Sequence, residues 1–249
     1  MELIAALLDA LRLPPHPAIA LAGAGGKTSA MFAMARALAP AVATTTTHLA
    51  EGQSSLADCH IVWTPGASCA ELALLEHDGV VLLTGELDPA TARLSGLSTQ
   101  QWAALRQWCA GHDRALLVEA DGSRQRPLKA PAPHEPAIPA GVDAVVVVAG
   151  MLGCGLPLDD EHVHRAARFA AISGCAIGDP VTTGAMAAAL SHPEGGLKNI
   201  PAGARRAALL SQADTPELRA HAARIAGRLR PPYDVVAVAS FRGGAVEIL

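Results

Sequence analysis

An α/β fold, with a mostly parallel sheet and helices on both of its faces, is what this sequence predicts, and three observations predict it. Short apolar runs alternate along the chain with longer alanine- and leucine-rich stretches, the rhythm of strand–helix units. The short runs are apolar at consecutive positions, as in "AVVVVAG" at 144–150, so both faces of each strand must be covered. The composition agrees: hydrophobic residues make up 51% of the chain, charged residues 17% and aromatics only 3%, which leaves alanine, valine and leucine to fill the core.

In chain order, "MELIAALLDALRLPP" reads as an amphipathic helix, because acids interrupt its apolar stretch and no basic segment precedes it as in a secretion signal. Strands are expected at 18–24, 41–47, 61–65, 80–85, 115–121, 144–150, 207–212 and 235–240. Helices are expected at 27–39, 68–77, 99–110, 160–172, 182–190 and 215–230. One segment breaks the rhythm. Residues 122–143, "GSRQRPLKAPAPHEPAIPAGVD", hold five prolines and no periodicity, which excludes helix and inner strand. An irregular stretch of that length inside a compact domain is usually functional. The 249 residues are read as one α/β domain, 1–249, carrying this proline-rich insertion.

The formal net charge of −4 leaves no electrostatic footprint for nucleic acid. Arg219, Arg224, Arg228 and Arg230 read as the solvated face of a C-terminal helix. No apolar run has the length of a membrane span. Cys59, Cys69, Cys109, Cys154 and Cys175 are scattered and form no C-x-x-C; they are expected to be buried structural thiols in a reducing, cytoplasmic setting. "DDEHVHR" at 159–165 offers Asp159, His162 and His164, but histidines two apart do not share a helix face and no further ligand has fitting spacing, so no transition-metal site is expected.

Chemistry concentrates at "LAGAGGKTSAMF", 21–32. A strand runs into a glycine-rich turn and then into a helix, the context in which backbone N–H groups and a helix N-terminus cradle phosphate. Gly23, Ala24, Gly25, Gly26, Lys27, Thr28 and Ser29 are therefore expected to bind a nucleotide, ATP or GTP, with Lys27 on its terminal phosphates and the Thr28 hydroxyl on Mg²⁺. The glycine usually found six positions ahead of the lysine is replaced by Leu21. The loop contracts to G-x-x-G-K-T and is similar to that of Mur ligases and folylpolyglutamate synthases, which bind ATP. The fold expected around it is P-loop NTPase-like.

Such a loop needs an acid at the end of a neighbouring apolar strand, and "ALLVEADGS" at 115–123 supplies Glu119 and Asp121, which alternate with Ala120 and so project to the same side. Asp121 is expected nearer to magnesium and Glu119 to orient water. "TTTTH", Thr44 to His48, ends the second strand near the loop; Thr46 is a candidate to ligate magnesium or touch the γ-phosphate. Beyond Asp121 come Arg124, Arg126, Lys129, His134 and Glu135, a set suited to a second, anionic substrate or to charge developing in phosphoryl transfer. Lys129 and His134 are assigned to that substrate.

Together, "GAGGKTS", "TTTTH", "LSGLS" at 94–98, "LLVEADGS", "RPLKAPAPHEP" and "VHR" at 163–165 resemble, in order, the YqeC family, accessory proteins of selenium-dependent molybdenum hydroxylases also labelled selenium cofactor biosynthesis proteins. The resemblance implies a cytoplasmic nucleoside-triphosphate-binding protein that helps to mature a molybdenum hydroxylase client. Two positions depart from the family. Arg93 stands where a lysine is common, and "SQAD", Ser211 to Asp214, replaces N-[K/Q]-x-D, which resembles the base-recognition motif of GTPases. Asp214 can still accept from a guanine edge, while loss of the asparagine tilts the expectation toward ATP. Three readings stay open: Mg²⁺-dependent hydrolysis or ligase-like activation of a small anionic or selenium/sulfur-containing substrate, a nucleotide-gated chaperone or switch with little turnover, and a scaffold without turnover.

Overall fold

The computed structural model describes residues 2–64, 72 and 75–249. Its elements in chain order are α1 (Glu2–Leu11), β1 (Ala18–Gly23), α2 (Lys27–Ala37), β2 (Ala41–Thr45), β3 (His48–Ala50), β4 (Cys59–Val62), β5 (Val80–Thr84), β6 (Leu87–Asp88) and β7 (Arg93–Ser95). There follow α3 (Thr99–Gly111), β8 (Ala115–Glu119), β9 (Leu128–Lys129), β10 (Ala144–Gly150), β11 (Val163–His164), α4 (Ala166–Ser173), α5 (Thr183–Ser191), β12 (Arg205–Ser211), α6 (Pro216–Ala226), β13 (Val235–Ser240) and β14 (Ala245–Ile248). A 3₁₀ turn at Glu51–Leu56 follows β3.

Nine strands form one sheet in the order β14-β13-β12-β10-β1-β8-β2-β5-β4. Every pairing is parallel except β13 with β14. This is an α/β architecture consistent with a P-loop NTPase-like fold. Because side chains alternate along a strand, each strand serves two cores. Ile19 and Leu21 of β1 join Leu7 of α1 and Met31 and Met34 of α2 on one face. Ala18 and Ala20 meet the side of Trp102 and Leu105 of α3, Phe169 of α4 and Ile225 of α6. The consecutive apolar residues of the sequence are explained by this two-sided burial.

Strand β1 lies between β8 and β10. This order sets the loop after β1 beside the acidic end of β8. Helices α3, α5 and α6 begin with Ser98, Thr182 and Thr215, whose side chains accept from the backbone N–H groups of Gln101, Ala185 and Leu218. Helix α2 begins at Gly26, which has no side chain to cap it.

The proline-rich segment is ordered from outside. Its prolines cannot donate, so its carbonyls are taken up by neighbours: Trp102 Nε1 donates to Ala140, Arg168 Nε to Pro131, Asn199 Nδ2 to Pro136 and Thr46 Oγ1 to Ala137, at 2.9–3.0 Å. Its one regular piece, β9, pairs with β11.

Several expectations are corrected. The helix expected over 160–172 starts only at Ala166, because Val163 and His164 are held by β9. The second strand stops at Thr45. A small sheet of β3, β7 and β6, and the closing strand β14, lacked a legible pattern. The helix expected at 68–77 lies outside the described residues, apart from Leu72 and 75–77, as does Cys69. Cys109 is buried, and burial pushes its thiol up to about 12. Cys59, Cys154 and Cys175 are only partly covered. Among the described residues no helix is long and apolar enough to cross a membrane.

Leu21 is fully buried in the core beneath α2, so the position where a glycine is usual lies inside the strand. Truncating it is expected to leave a cavity: Leu21→Ala should cost about 2–5 kcal/mol in urea unfolding.

Candidate functional site

Three glycines shape the turn between β1 and α2. Gly23, Gly25 and Gly26 take φ of 101°, 72° and 115°, in the left-handed region. A Cβ on Gly25 would lie 2.5 Å from the Gly150 Cα and 2.6 Å from the Pro127 carbonyl oxygen. The N–H groups of Gly23 and Ala24 are used, the first by the Asp121 carboxylate and the second by the Val148 carbonyl. Among the described residues no protein acceptor meets the N–H groups of Gly25, Gly26, Lys27, Thr28 or Ser29. Five successive donors at a helix start, with none capped, are the kind of arrangement that can hold an anion.

Behind this turn runs a chain of alternating charges. Thr28 Oγ1 donates to Glu119 Oε2 at 2.8 Å. Lys27 Nζ lies 3.6 Å from Glu119 and 3.4 Å from Asp121, and donates to the Gly23 carbonyl at 2.8 Å. Lys129 Nζ lies 2.8 Å from both Asp121 and Glu135, and Arg165 clamps Glu135 with two bonds of 2.8 and 2.9 Å. Lys27, Glu119, Asp121 and Glu135 are all buried. Burial opposes the charge of Lys27, but Asp121 and Glu119 outweigh it and hold the ammonium above its ordinary value. Burial pushes the Glu119 carboxyl up, against the pull of Lys27 and the Thr28 hydroxyl. Glu119 is thus the carboxylate least compensated by protein cations, since Asp121 has Lys129 as a second partner.

A cleft of about 320 Å³ opens in front of the turn. Gly25–Ser29 form its floor, His48, Gln53 and Arg93 one wall, and residues 122–126 the other, with Gln212 at one end. Lys27, Arg93, Arg124 and Arg126 face it against the single carboxylate of Glu119, a balance suited to a polyanion. The wall at 122–126 is a tight turn closed by Arg126 N–H on the Ser123 carbonyl at 3.0 Å. Arg124 and Gln125 hold φ of 49° and 61° there, left-handed backbone that bends the segment sharply.

The structure redistributes the residues singled out in the sequence. Lys27, Thr28, Ser29, Gly25 and Gly26 meet in the cleft with Glu119. Gly23, Ala24 and Asp121 lie behind the turn, bordering a separate, smaller cavity. The place nearest Thr28, expected for Asp121, belongs to Glu119, because both Asp121 oxygens accept from the Gly23 N–H. Lys129, expected at a second substrate, is enclosed in ion pairs and is absent from the cleft lining, and His134 is exposed and outside it. Thr46 turns its hydroxyl to the Ala137 carbonyl, while Thr44 and Thr45 bond Leu83 and Glu119 carbonyls. Asp214 borders an adjoining hollow. Gln53 was missed: its Nε2 donates to Thr28 Oγ1 at 2.9 Å from the 3₁₀ turn, a contact with no local motif to announce it. The Thr28 hydroxyl and the Glu119 carboxylate suit Mg²⁺, which takes one or two protein oxygens and completes its shell with phosphate and water.

Burial would raise the Glu135 carboxyl, but Arg165 and Lys129 outweigh it and hold it at about 2, against an ordinary 4.5. A carboxyl lowered on folding stabilises the fold above its unfolded value and loses that contribution as pH falls through its folded value. Urea stability is therefore expected to decline between about pH 4.5 and 2, and Glu135→Gln should flatten that part of the profile.

The model of the family described as YqeC protein matches residues 19–167, which hold the glycine-rich turn and the whole charge chain. The "Uncharacterized protein YqeC" of Escherichia coli (strain K12) is 34% identical over 201 residues, covering 76% of this chain and 73% of the relative. No solved structure matches. The chain belongs to the YqeC family.

Proposed function

We propose that this protein binds a Mg²⁺–nucleoside triphosphate in the cleft and uses it for hydrolysis or ligase-like activation of a small anionic or selenium/sulfur-containing substrate. The observation that carries the reading is the run of five N–H groups from Gly25 to Ser29 that no acceptor meets among the described residues, set against Lys27 and the Thr28–Glu119 pair. The β- and γ-phosphates accept from these donors, and Lys27 moves from the Gly23 carbonyl to the terminal phosphate. Thr28 and Glu119 hold the Mg²⁺ that neutralises charge on the phosphate oxygens. Arg93, Arg124 and Arg126, on the opposite walls, take over the role assigned in the sequence to Lys129 and His134: they receive the anionic co-substrate and stabilise charge as phosphoryl transfer proceeds. Family resemblance supplies the setting, maturation of a selenium-dependent molybdenum hydroxylase in the cytoplasm.

A second reading, a nucleotide-gated switch for an apo-enzyme or cofactor carrier, is favoured by one contact. Gln53 bonds Thr28 and also accepts from the Ala50 N–H at 2.9 Å. A ligand that takes Thr28 therefore competes with a tie holding the 3₁₀ turn and β3. Stimulation of turnover by a client would favour this reading.

Calorimetry with ATP and GTP, with and without Mg²⁺, tests nucleotide binding. Thr28→Val, which keeps the Lys27 ion pairs, is expected to weaken Mg²⁺-dependent binding at least about tenfold and to leave binding in EDTA unchanged. His134→Ala should leave turnover unaffected and Arg124→Ala should lower it. Failure of either nucleotide to bind with Mg²⁺ would remove the proposal.

A further inference from the structure

The small sheet of β3, β7 and β6 turns one face to the cleft. Residues opposite one another on antiparallel strands share a face, and the register sets His48 against Ser95, Leu49 against Leu94 and Ala50 against Arg93. Leu49 and Leu94 are buried in the core, so His48, Ala50 and Arg93 point the other way, and all three line the cleft. We propose that His48 is a catalytic base that takes the proton from a water molecule attacking the terminal phosphate. The inference rests on nucleotide binding in the cleft and adds a catalytic residue to it.

Elimination is the first argument. The titratable side chains lining the cleft are Lys27, His48, Arg93, Glu119, Arg124 and Arg126. A guanidinium keeps its proton in a protein, which removes the three arginines. Lys27 is paired with Glu119 and Asp121 as a cation. Glu119 accepts from the Thr28 hydroxyl and is assigned with it to the metal. His48 remains, and histidine is the side chain most often used for general base catalysis. It is exposed on the cleft wall, where it can meet a ligand and return a proton to solvent.

Placement is the second argument. Gln53 accepts from the Ala50 N–H and donates to Thr28 Oγ1, which ties β3 to the part of the turn that is assigned to the metal and the terminal phosphate. His48 lies two residues from Ala50 on the same face, diagonally across from Arg93, a spacing of about 7–8 Å. A water molecule between them has a base on one side and a cation that steadies the phosphate on the other.

The backbone that carries His48 is held firmly. Gly96 N–H donates to the Thr47 carbonyl at 2.7 Å and Leu97 N–H to the Thr45 carbonyl at 2.9 Å. The approach is so close that a Cβ on Gly96 would lie 2.5 Å from the Thr46 carbonyl carbon. Thr45 Oγ1 also accepts from the Thr47 N–H at 3.0 Å, and Thr46 is turned away to Ala137. The threonine run and the segment at 94–98 thereby serve as the support from which the imidazole projects.

In the step itself a water O–H bond breaks and its proton passes to the imidazole. The water oxygen bonds to phosphorus as the bond from phosphorus to the β-phosphate oxygen breaks, and the nucleoside diphosphate leaves. Asp88 on β6 and Arg93 on β7 carry charge beside His48, and Lys27, Glu119, Arg124 and Arg126 face it across the cleft.

The test follows phosphate release from ATP and GTP with Mg²⁺ over about pH 5–8, the range in which imidazoles ordinarily change charge. Calorimetry measures binding of the β,γ-imido analogues of both nucleotides. The proteins are the wild type, His48→Ala and His48→Gln, whose amide can hold a water molecule but cannot take its proton. Release by the wild type should rise with pH. Both variants should bind the analogues as the wild type does, release phosphate about a hundredfold more slowly and lose the rise with pH. Wild-type release by His48→Gln, an unchanged pH profile in either variant, or a wild type that binds the analogues without releasing phosphate would overturn the role of His48 and leave nucleotide binding standing. Binding of neither analogue would overturn both.

Discussion

The rest of the structure depends on the buried charge chain that runs from Glu119 through Lys27, Asp121, Lys129 and Glu135 to Arg165. Two carboxylates at the end of an apolar strand are costly to bury alone. Here each is approached by Lys27, which the turn after β1 supplies, and Asp121 is also met by Lys129 from the proline-rich segment. The pairing therefore joins the turn after β1 to the end of β8 and to the proline-rich segment that follows it. It also constrains the turn directly, because Asp121 accepts the Gly23 N–H. The shape of the phosphate turn and the placing of the insertion are parts of one electrostatic arrangement.

That arrangement explains which parts of the molecule were legible in the sequence. The turn itself was readable because its glycines and Lys27 act locally, over a few residues. The sheet was readable because two-sided burial leaves runs such as "AVVVVAG". The division of labour between Glu119 and Asp121 was not. Spacing gave both the same side of the strand, while their separate partners, Thr28 for one and Lys129 for the other, come from elements 91 and 8 residues away. Lys129 and His134 looked like ligand-binding residues because a basic loop next to a site usually offers its charges outward. The structure turns Lys129 inward to balance carboxylates, and the outward charges are Arg124 and Arg126. The threonine run has a similar explanation: Thr44 and Thr45 serve the Leu83 and Glu119 carbonyls at the end of the sheet, and Thr46 serves the Ala137 carbonyl of the insertion.

The insertion is long because it works on both sides of the phosphate turn. Its first part, at 122–126, is bent by two left-handed residues and forms a wall of the cleft. It then passes the turn so closely that the Pro127 carbonyl accepts from the Gly150 N–H and leaves no space for a side chain on Gly25. Its later part returns behind, with Lys129 and Glu135 in the charge chain. Proline suits such a path, because a segment that cannot form a ladder with itself must be held by side chains from α3, α4 and the neighbouring loops, and is fixed by them.

The consequence is an unequal site. Behind the turn, Asp121, Lys129, Glu135 and Arg165 satisfy one another, with Asp121 and Lys129 at the edge of the smaller cavity. In front, Glu119 is short of positive charge, five N–H groups meet no acceptor among the described residues, and the Thr28 hydroxyl is shared with Gln53 from a different element. Among the described residues of the site the open donors lie on the cleft side, an arrangement suited to a ligand that brings anionic oxygens and a divalent cation. In the proposed reading such a ligand would draw Thr28 from Gln53, and the strand and 3₁₀ turn at 48–56, which Gln53 ties to Thr28, would respond first. On the proposal, turnover and switching would be two outcomes of one event: release of the Thr28–Gln53 tie alone would give a switch, and release followed by phosphoryl transfer would give an enzyme.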